Sequence, residues 1–212
     1  MIIAIDGTTA SGKGTIAKRL SGYYGLPHMD TGRLYRAVGV AAMKQGIPLD
    51  AAGPLADIAR ALDLSDFVEH ELRSAEAGKA ASVVAAIPSV RQALFELQRA
   101  FATREGGALL DGRDIGTVIA PDADVKLWVD ADVNQRGARR WKELSEAGDP
   151  VTLDEVIRQL EIRDARDQGR ANAPAAMAAD AILIDTTDLT IDAAVEKALA
   201  AVEAALARGK TA

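Results

Sequence analysis

The sequence has no cysteine, only two histidines and no excess of positive charge. Without cysteine the chain can form neither disulfides nor thiolate metal sites. The formal net charge of −6 at pH 7 argues against a protein that binds nucleic acid through a basic surface. No stretch approaches the roughly 20 consecutive apolar residues of a membrane-spanning helix. We therefore expect neither a nucleic-acid nor a membrane partner, although a local cluster of arginines could still bind a small anion.

The length and composition of the chain are those of an ordinary globular protein. Its 212 residues fit one domain, 49% of them are hydrophobic and 26% are charged. Met1 leads directly into an apolar run, without the basic and apolar regions of a secretory signal. We expect a cytoplasmic protein that consists of a single domain over residues 1–212.

Short runs of β-branched and apolar residues predict strands, and helical spacing of apolar residues fills the intervals between them. Strands that alternate with helices predict an α/β fold with a parallel sheet. The predicted strands are 2–6, 26–30, 108–111, 125–130 and 181–185, and the predicted helices are 15–24, 34–44, 88–103, 133–147 and 152–168.

Two further regions have a less regular pattern. Residues 55–62 are spaced as a helix, whereas residues 67–72 are interpreted as a short strand or a loop. Near the C-terminus, Thr190 is a candidate cap for a last helix, Gly209 lies just past its predicted end, and the final "RGKTA" is interpreted as a frayed end. The apolar stripe of this helix, which we assign to the core, is Val195, Leu199, Val202 and Leu206.

The stretch "IDGTTASGKGT" (residues 5–15) has the spacing of a phosphate-binding loop. Gly7 is followed after four residues by Gly12 and Lys13, between a predicted strand and a predicted helix. Glycines let the backbone N–H groups surround an anion, and the N-terminus of the helix adds a favourable dipole. Lys13 can reach the β- and γ-phosphates. The alternative is a glycine-rich turn with a chance lysine. The predicted strand before the loop and the predicted helix after it favour a nucleoside triphosphate site instead.

Gly14 takes the position where phosphate loops commonly carry the hydroxyl that ligates magnesium. Thr15 comes one residue later. We therefore expect Thr15 to contact phosphate or to reach the metal through water.

Two segments place polar residues just after predicted strands. "MDTGRLYRA" (29–37) carries Thr31, Arg33 and Arg36, and "LLDGRDIGT" (109–117) carries Asp111 and Arg113. Ligands of α/β sheets gather at the carboxyl ends of the strands. Asp111 lies at such an end, where its carboxylate is suited to bind a magnesium ion through water. Either segment alone could be an ordinary polar loop. Together behind a phosphate loop, they favour a second anion site.

A third segment, "EIRDARDQGRANAP" (161–174), is rich in arginine. Thr152 and Glu155 form a candidate capping box for the preceding helix. One face of this helix then carries residues spaced three and four positions apart, namely Arg163, Arg166 or Asp167, and Arg170. The alternative is a solvated helix with a pair between Arg163 and Asp167. A mobile segment rich in arginine is what phosphoryl transfer needs to neutralise charge and exclude water.

At these motifs the chain resembles the bacterial cytidylate kinases. The similarity runs in order through nearly the whole chain, over "GKGT", "DTGRLYRA", "KAASVVAAIPSVRQAL", "DGRDIGTVIAPDADVKLWVDA" and "RDARDQGRANAP". It implies reversible transfer of the γ-phosphoryl group of ATP to CMP or dCMP, in pyrimidine nucleotide metabolism, by a monomer that uses Mg²⁺. It also implies a P-loop kinase fold with a central five-stranded parallel sheet flanked by helices, a short lid (150–172) and a reduced monophosphate-binding insert (50–100).

The resemblance also implies roles for individual residues. Thr31, Arg36 and Arg113 would hold the acceptor phosphate, and Ser82, Arg91 and Asp114 would meet the cytosine. Arg163 and Asp167 would touch the ribose, while Arg166 and Arg170 would close over the phosphates. The implied catalytic residues are Lys13, Arg113, Arg163, Arg166 and Arg170. The implied ATP site is Gly7, Thr8, Thr9, Ala10, Ser11, Gly12, Lys13, Gly14 and Thr15. The implied CMP site is Thr31, Arg36, Ser82, Arg91, Arg113, Asp114, Arg163, Asp167 and Arg170. The implied metal contacts are Asp111, through water, and Thr15.

The chemistry of cytosine agrees with these roles. Its exocyclic amine donates, which suits the carboxylate of Asp114, and its ring nitrogen accepts, which suits Arg91 or Ser82. Uracil reverses this pattern, so UMP should be a poor substrate. A monophosphate that is largely ionised at pH 7 is its own nucleophile. The two histidines, His28 and His70, are therefore assigned no role.

The stretch 63–78 is much shorter than the strand-rich insert usual in the family, which could alter affinity for CMP and discrimination against dCMP. Two other functions remain open at this point. One is a kinase of the same fold with another acceptor, such as AMP, UMP or shikimate. The other is a nucleotide-binding regulator without turnover, which the lid arginines and the second phosphate site oppose.

Overall fold

The structure is a computed structural model that describes residues 1–209. The chain forms two compact units. The first consists of Met1–Met29 and the chain from Ala100 onward, and the second is Asp30–Arg99.

The first unit contains a five-stranded parallel sheet, as predicted. Its strands lie in the order β2-β3-β1-β4-β5. The predicted strand positions agree with the observed ones to within about two residues at either end. The strands are β1 (Ile2–Gly7), β2 (His28–Asp30), β3 (Ala108–Gly112), β4 (Val125–Asp130) and β5 (Ile182–Asp185).

Each helix predicted from apolar spacing is present, whereas the helices over 69–73 and 75–84 were not predicted. Thr31 begins the second helix, three residues earlier than predicted, and the last helix includes Arg208 and Gly209. The remainder of the predicted frayed end lies outside the described residues. The helices are α1 (Lys13–Tyr24), α2 (Thr31–Lys44), α3 (Ala52–Arg60), α4 (Glu69–Arg73), α5 (Ala75–Val84), α6 (Pro88–Ala102), α7 (Val133–Glu146), α8 (Leu153–Gln168) and α9 (Ile191–Gly209).

The register of the sheet sets the level of the strand ends. Ile5 of β1 lies beside Asp111 of β3 and Leu127 of β4, and Gly7 lies beside Val129 of β4. The carboxyl ends of three adjacent strands therefore reach the same edge of the sheet, where the loops that carry the predicted site residues begin.

The core of the first unit lies between the sheet and two helices. Ile3 and Ile5 alternate along β1 onto one face, where they pack with Ile16 of α1 and Val202 of α9. The hydroxyl of Thr190 accepts from the N–H of Ala193 at 3.2 Å, as the predicted cap of α9 requires. The apolar stripe of α9 packs in or against this core, as predicted.

Every regular element within residues 31–99, all of which the structure describes, is a helix, and turns join these helices. The prediction of a strand or loop over 67–72 is wrong for residues 69–72, because α4 begins at Glu69. A salt bridge of 2.8 Å between Glu69 and Arg73, one turn apart, stabilises this short helix. Its Leu72 is buried against Ala37 and Val40 of α2.

Within residues 1–209, no single helix is both long and apolar enough to cross a bilayer. The pair α5 and α6 passes the same test of length and composition together, with a bend of 100° between the two helices.

The packing of α2 on α5 predicts a strict size limit at Gly39. A Cβ atom at this glycine would lie 2.7 Å from the Cβ of Ala80. We expect Gly39→Ala to lower the free energy of unfolding by about 1–3 kcal/mol through overpacking, as measured by urea denaturation.

Gly22 of α1 is the matched control, since nothing lies within 4 Å of its Cβ position. Gly22→Ala should raise the free energy of unfolding by up to about 1 kcal/mol, because alanine favours the helix. Equal stability of Gly39→Ala and the wild type would contradict the packing argument.

Candidate active site

The loop between β1 and α1 needs glycine at two positions. Gly7 has φ of +151°, and a Cβ there would lie 1.9 Å from the carbonyl oxygen of Val129. Gly12, which precedes the first residue of α1, has φ of +91°. Both conformations are strained for residues with a side chain. Glycine therefore avoids a steric clash at the first position and backbone strain at the second.

Hydrogen bonds hold the loop in a closed shape. Lys13 Nζ and Ser11 Oγ both donate to the carbonyl of Thr8, at 3.3 and 3.0 Å. The hydroxyl of Thr8 donates to Asp130 Oδ1 at 2.6 Å, and that of Thr186 donates to the carbonyl of Ser11 at 2.8 Å. The first turn of α1 has no acidic residue. The positive end of the helix dipole therefore offers an anion site without a competing carboxylate.

Asp111 lies beside this loop, at the end of β3. Its side chain is 3% exposed, and its Oδ2 is 3.8 Å from the Cβ position of Gly14. His28 Nε2 is 3.1 Å from the same oxygen. Thr15, on the first turn of α1, is exposed.

The residues around Asp111 fit a magnesium ion that is bound mainly by other ligands. No group of three or more His, Cys, Asp or Glu side chains within residues 1–209 could hold a metal by itself. Mg²⁺ usually keeps several waters and takes one or two carboxylates together with substrate phosphates. A single buried carboxylate beside a phosphate loop meets that requirement.

Asp6 anchors the loop that follows β3. Its two carboxylate oxygens accept from the N–H groups of Ile115 and Gly116 at 2.8 and 2.7 Å. These residues begin the π-helical turn Ile115–Ile119, directly after Asp114. Asp6 therefore fixes the backbone next to Asp114, which is itself buried. This role of Asp6 could not be predicted from the sequence, since an acidic residue at the end of a strand has many possible partners.

Three arginines surround the buried carboxylate of Asp167. Arg113 Nε lies 3.2 Å and Arg163 Nε 3.8 Å from Oδ2, and Arg170 Nη2 contacts Oδ1. Burial alone would raise the pKa of Asp167, but the three guanidinium groups outweigh burial and hold it below its ordinary value. The predicted pair of Arg163 and Asp167 is thus part of a larger cluster. The side chain of Asp167 is only 3% exposed, which excludes the alternative of a solvated helix face around this carboxylate.

The cluster also reaches the phosphate loop. Arg113 Nη2 donates to the hydroxyl of Thr9 at 2.7 Å. Beyond α8 the chain folds back, because the N–H of Ala175 donates to the carbonyl of Asp167 at 2.8 Å. Arg166, one turn before Arg170, is exposed. The structure thus brings Arg113, Arg163, Asp167 and Arg170 together with the loop.

The second unit holds the other predicted acceptor residues. Thr31 and Ser82 are buried, and Arg36 Nη1 donates to the carbonyl of Leu72 at 3.1 Å. The guanidinium of Arg91 lies 5.7 Å from the ring centroid of Tyr35, a cation–π distance. Thr31, Ser82 and Arg91 are thus polar side chains buried in a helical unit, a location that is uncommon for residues of these types.

Sequence reasoning did not identify Arg136 of α7. Its Nη1 donates to the carbonyl of Thr9 at 3.2 Å and to Asp164 Oδ2 at 2.6 Å, and its Nε donates to the carbonyl of Ala131 at 2.8 Å. One buried side chain therefore joins the phosphate loop to α7 and α8. Its place in the first turn of α7 was the available signal, but Arg139 and Arg140 follow it closely.

The phosphate loop, the parallel sheet that ends behind it and the arginine cluster define a P-loop kinase. A gluconokinase from Sinorhizobium meliloti has a TM-score of 0.52 and 13% identity, over 99% of this chain and 95% of that chain. A sugar kinase from Janibacter sp. has a TM-score of 0.50 and 14% identity, over 97% of this chain and 95% of that chain. At these identities the likeness shows the fold alone.

The family follows from closer relatives. The cytidylate kinase family model matches residues 3–204. A cytidylate kinase from Cereibacter sphaeroides is 51% identical over 208 residues, 98% of both chains. One from Methylocella silvestris is 53% identical, over 97% of this chain and 95% of that protein, and one from Caulobacter sp. is 53% identical, over 98% and 96%. The chain belongs to the cytidylate kinase family, and the resemblance seen in its motifs is confirmed.

The environment of Asp6 predicts a pH dependence of stability. Burial raises its pKa from 3.8 to about 7, and the N–H bonds from Gly116 and Ile115 offset burial only in part. The stability that this raised pKa contributes is complete below about pH 4 and is lost as the pH rises towards 7, because the unfolded chain releases the proton first. We expect the free energy of unfolding of the wild type to fall by roughly 2–4 kcal/mol relative to Asp6→Asn between about pH 4 and 7.

Urea denaturation of both proteins at several pH values measures this difference. Asp188→Asn, at an exposed aspartate, is the control and should follow the wild type. A constant difference between wild type and Asp6→Asn across the range would contradict the raised pKa.

Proposed function

We propose that the protein transfers the γ-phosphoryl group of ATP reversibly to CMP or dCMP, giving ADP and CDP or dCDP. Membership of the cytidylate kinase family over residues 3–204 carries this proposal. The chemistry of the first unit supports it, since it offers a phosphate loop and a cluster of arginines next to that loop. Phosphoryl transfer depends mainly on positioning and on charge neutralisation.

ATP is proposed to bind to the loop Gly7–Thr15. Lys13 begins α1 and is already hydrogen-bonded within the loop, so it is placed to bind the β- and γ-phosphates. Asp111 would hold Mg²⁺ through water, and Thr15 is a further candidate contact. When bound, the ion would neutralise charge on the transferred phosphoryl group.

In each unit, separate residues are proposed to contact the acceptor. In the second unit, Thr31 and Arg36 would hold its phosphate, and Ser82 and Arg91 would donate to the ring nitrogen of cytosine. In the first unit, Arg113 would hold the phosphate and Asp114 would accept from the exocyclic amine. Buried polar groups of this kind favour cytosine strongly, because uracil would leave them without partners.

The arginines are proposed to act on the transferred charge. Arg113, Arg163 and Arg170 contact Asp167, which gathers three cations in a buried place. With Arg166 and Lys13 they would neutralise the phosphoryl group while the ionised monophosphate attacks it. Arg163 and Asp167 are also the proposed contacts to the ribose. Because Asp167 holds these cations close together, little reorganisation would be needed at the moment of transfer.

The remaining proposals concern organisation. We propose a single functional domain over residues 1–212, with a monophosphate-binding insert at 50–100 and a lid at 150–172. We also propose a cytoplasmic monomer without nucleic-acid or membrane partners, and the net charge of −6 supports the absence of a nucleic-acid partner.

The test of the function is release of ADP from ATP with magnesium, with CMP, dCMP, UMP and AMP assayed in parallel. We expect rapid turnover with CMP or dCMP and little with UMP or AMP. Lys13→Ala serves as the background control, since it should lose most of the rate. Turnover with another acceptor alone would contradict the cytosine assignment, and ATP binding without turnover would contradict the kinase activity.

The role of Asp114 predicts a change in base selection. Asp114→Asn loses the anionic acceptor and gains an N–H donor that suits the O4 of uracil. We expect the ratio of kcat/KM for CMP to that for UMP to fall roughly 10- to 100-fold, the effect of one hydrogen bond to a charged group. Asp188→Asn is the matched control at an exposed position. An unchanged ratio in Asp114→Asn would remove Asp114 from base recognition.

A further inference from the structure

His28 joins two adjacent strands through its side chain. Its Nε2 lies 3.1 Å from Asp111 Oδ2, although the two residues are 83 positions apart in the sequence. The imidazole is 15% exposed and the carboxylate 3%. A carboxylate accepts hydrogen bonds, so the N–H of His28 donates to Asp111.

The backbone fixes the position of this donor. β2 is the edge strand next to β3, and the N–H of Leu109 on β3 donates to the carbonyl of Pro27 at 2.9 Å. Pro27 has a restricted φ and precedes His28 directly. The imidazole therefore reaches Asp111 from a part of the chain that is held to the same sheet.

The oxygen that His28 contacts faces the phosphate loop. Asp111 Oδ2 is 3.8 Å from the Cβ position of Gly14, which lies in the first turn of α1. This oxygen thus lies between an imidazole N–H and the loop proposed to bind ATP. A carboxylate has about four acceptor positions, and His28 uses one of them. The N–H of His28 thereby influences the orientation of the Asp111 carboxylate and the direction of its other acceptor positions.

We infer that His28 is a positioning residue for Asp111 in the binding of the metal–nucleotide complex. The inference rests on the proposed function, since it takes Asp111 as the residue that holds Mg²⁺ through water. An N–H donor that restricts a metal-binding carboxylate orients it before the metal arrives, and loss of such a partner typically costs 10- to 100-fold in metal affinity or activity. A histidine to which the sequence analysis assigned no role thus acts through the carboxylate.

The experiment measures Mn²⁺ binding in the presence of the β,γ-imido analogue of ATP, by the electron paramagnetic resonance signal of free Mn²⁺. His28→Leu removes the donor at similar size, whereas His28→Gln keeps an N–H group that can reach Asp111. We expect His28→Leu to weaken Mn²⁺ binding roughly tenfold and His28→Gln to stay within about twofold of wild type. Affinity for the analogue without metal should be unchanged in both.

His70→Leu is the matched control, because His70 is the second histidine of the chain and is exposed on α4. It should bind Mn²⁺ as the wild type does. If His28→Leu does not fold, His28→Asn replaces it, since its shorter side chain cannot span the distance to Asp111 and should show the same loss.

Two results would overturn the inference. One is wild-type Mn²⁺ affinity in His28→Leu or, in its place, His28→Asn. The other is an equal loss in His28→Gln, because shape and not the donor would then matter. The measurement uses no acceptor, so its failure can be distinguished from a failure of the proposed phosphoryl transfer to CMP. Loss of Mn²⁺ affinity in an enzyme that prefers another acceptor would support the role of His28 and contradict only the choice of CMP.

Discussion

The structure depends on the parallel pairing of β1 between β3 and β4. In this register Ile5 lies beside Asp111 and Leu127, so three strands end at one level. A shift by one residue would turn Ile3 and Ile5 away from the core, which makes the register strict. The same pairing brings the backbone of Gly7 so close to Val129 that a side chain has no room. The phosphate loop, the carboxylate of β3 and the loop after it all begin from this edge.

Two buried aspartates in this part of the chain show how local partners decide what a carboxylate does. Asp6 receives two backbone N–H groups, and burial still raises its pKa to about 7. Asp167 receives three guanidinium groups, which hold its pKa below the ordinary value despite burial. Asp6 therefore serves to hold a turn in place. Asp167 gathers positive charge, which is the property that phosphoryl transfer requires.

Much of the fold could be predicted from local patterns. The strand 125–130 and the helix that begins at Pro88 were predicted with the observed starts, because apolar spacing and flanking polar residues act over short distances. The prediction of a strand or loop over 67–72 was wrong in part, because the helix there has one turn and depends on a salt bridge and on the burial of Leu72. The cluster of Arg163, Asp167 and Arg170 was foreseen from helical spacing, whereas the contribution of Arg113 to it was not.

The sequence by itself determined the order of strands and helices, the phosphate loop and the family, because glycine spacing, periodicity and motif order are properties of neighbouring residues. Only the tertiary structure decided which distant side chains meet. His28 and Asp111 are separated by 83 residues, Asp6 and Ile115 by 109, and Arg136 and Asp164 by 28. Such pairs leave no periodic signal, since each contact depends on strand order and on the level at which the strands end.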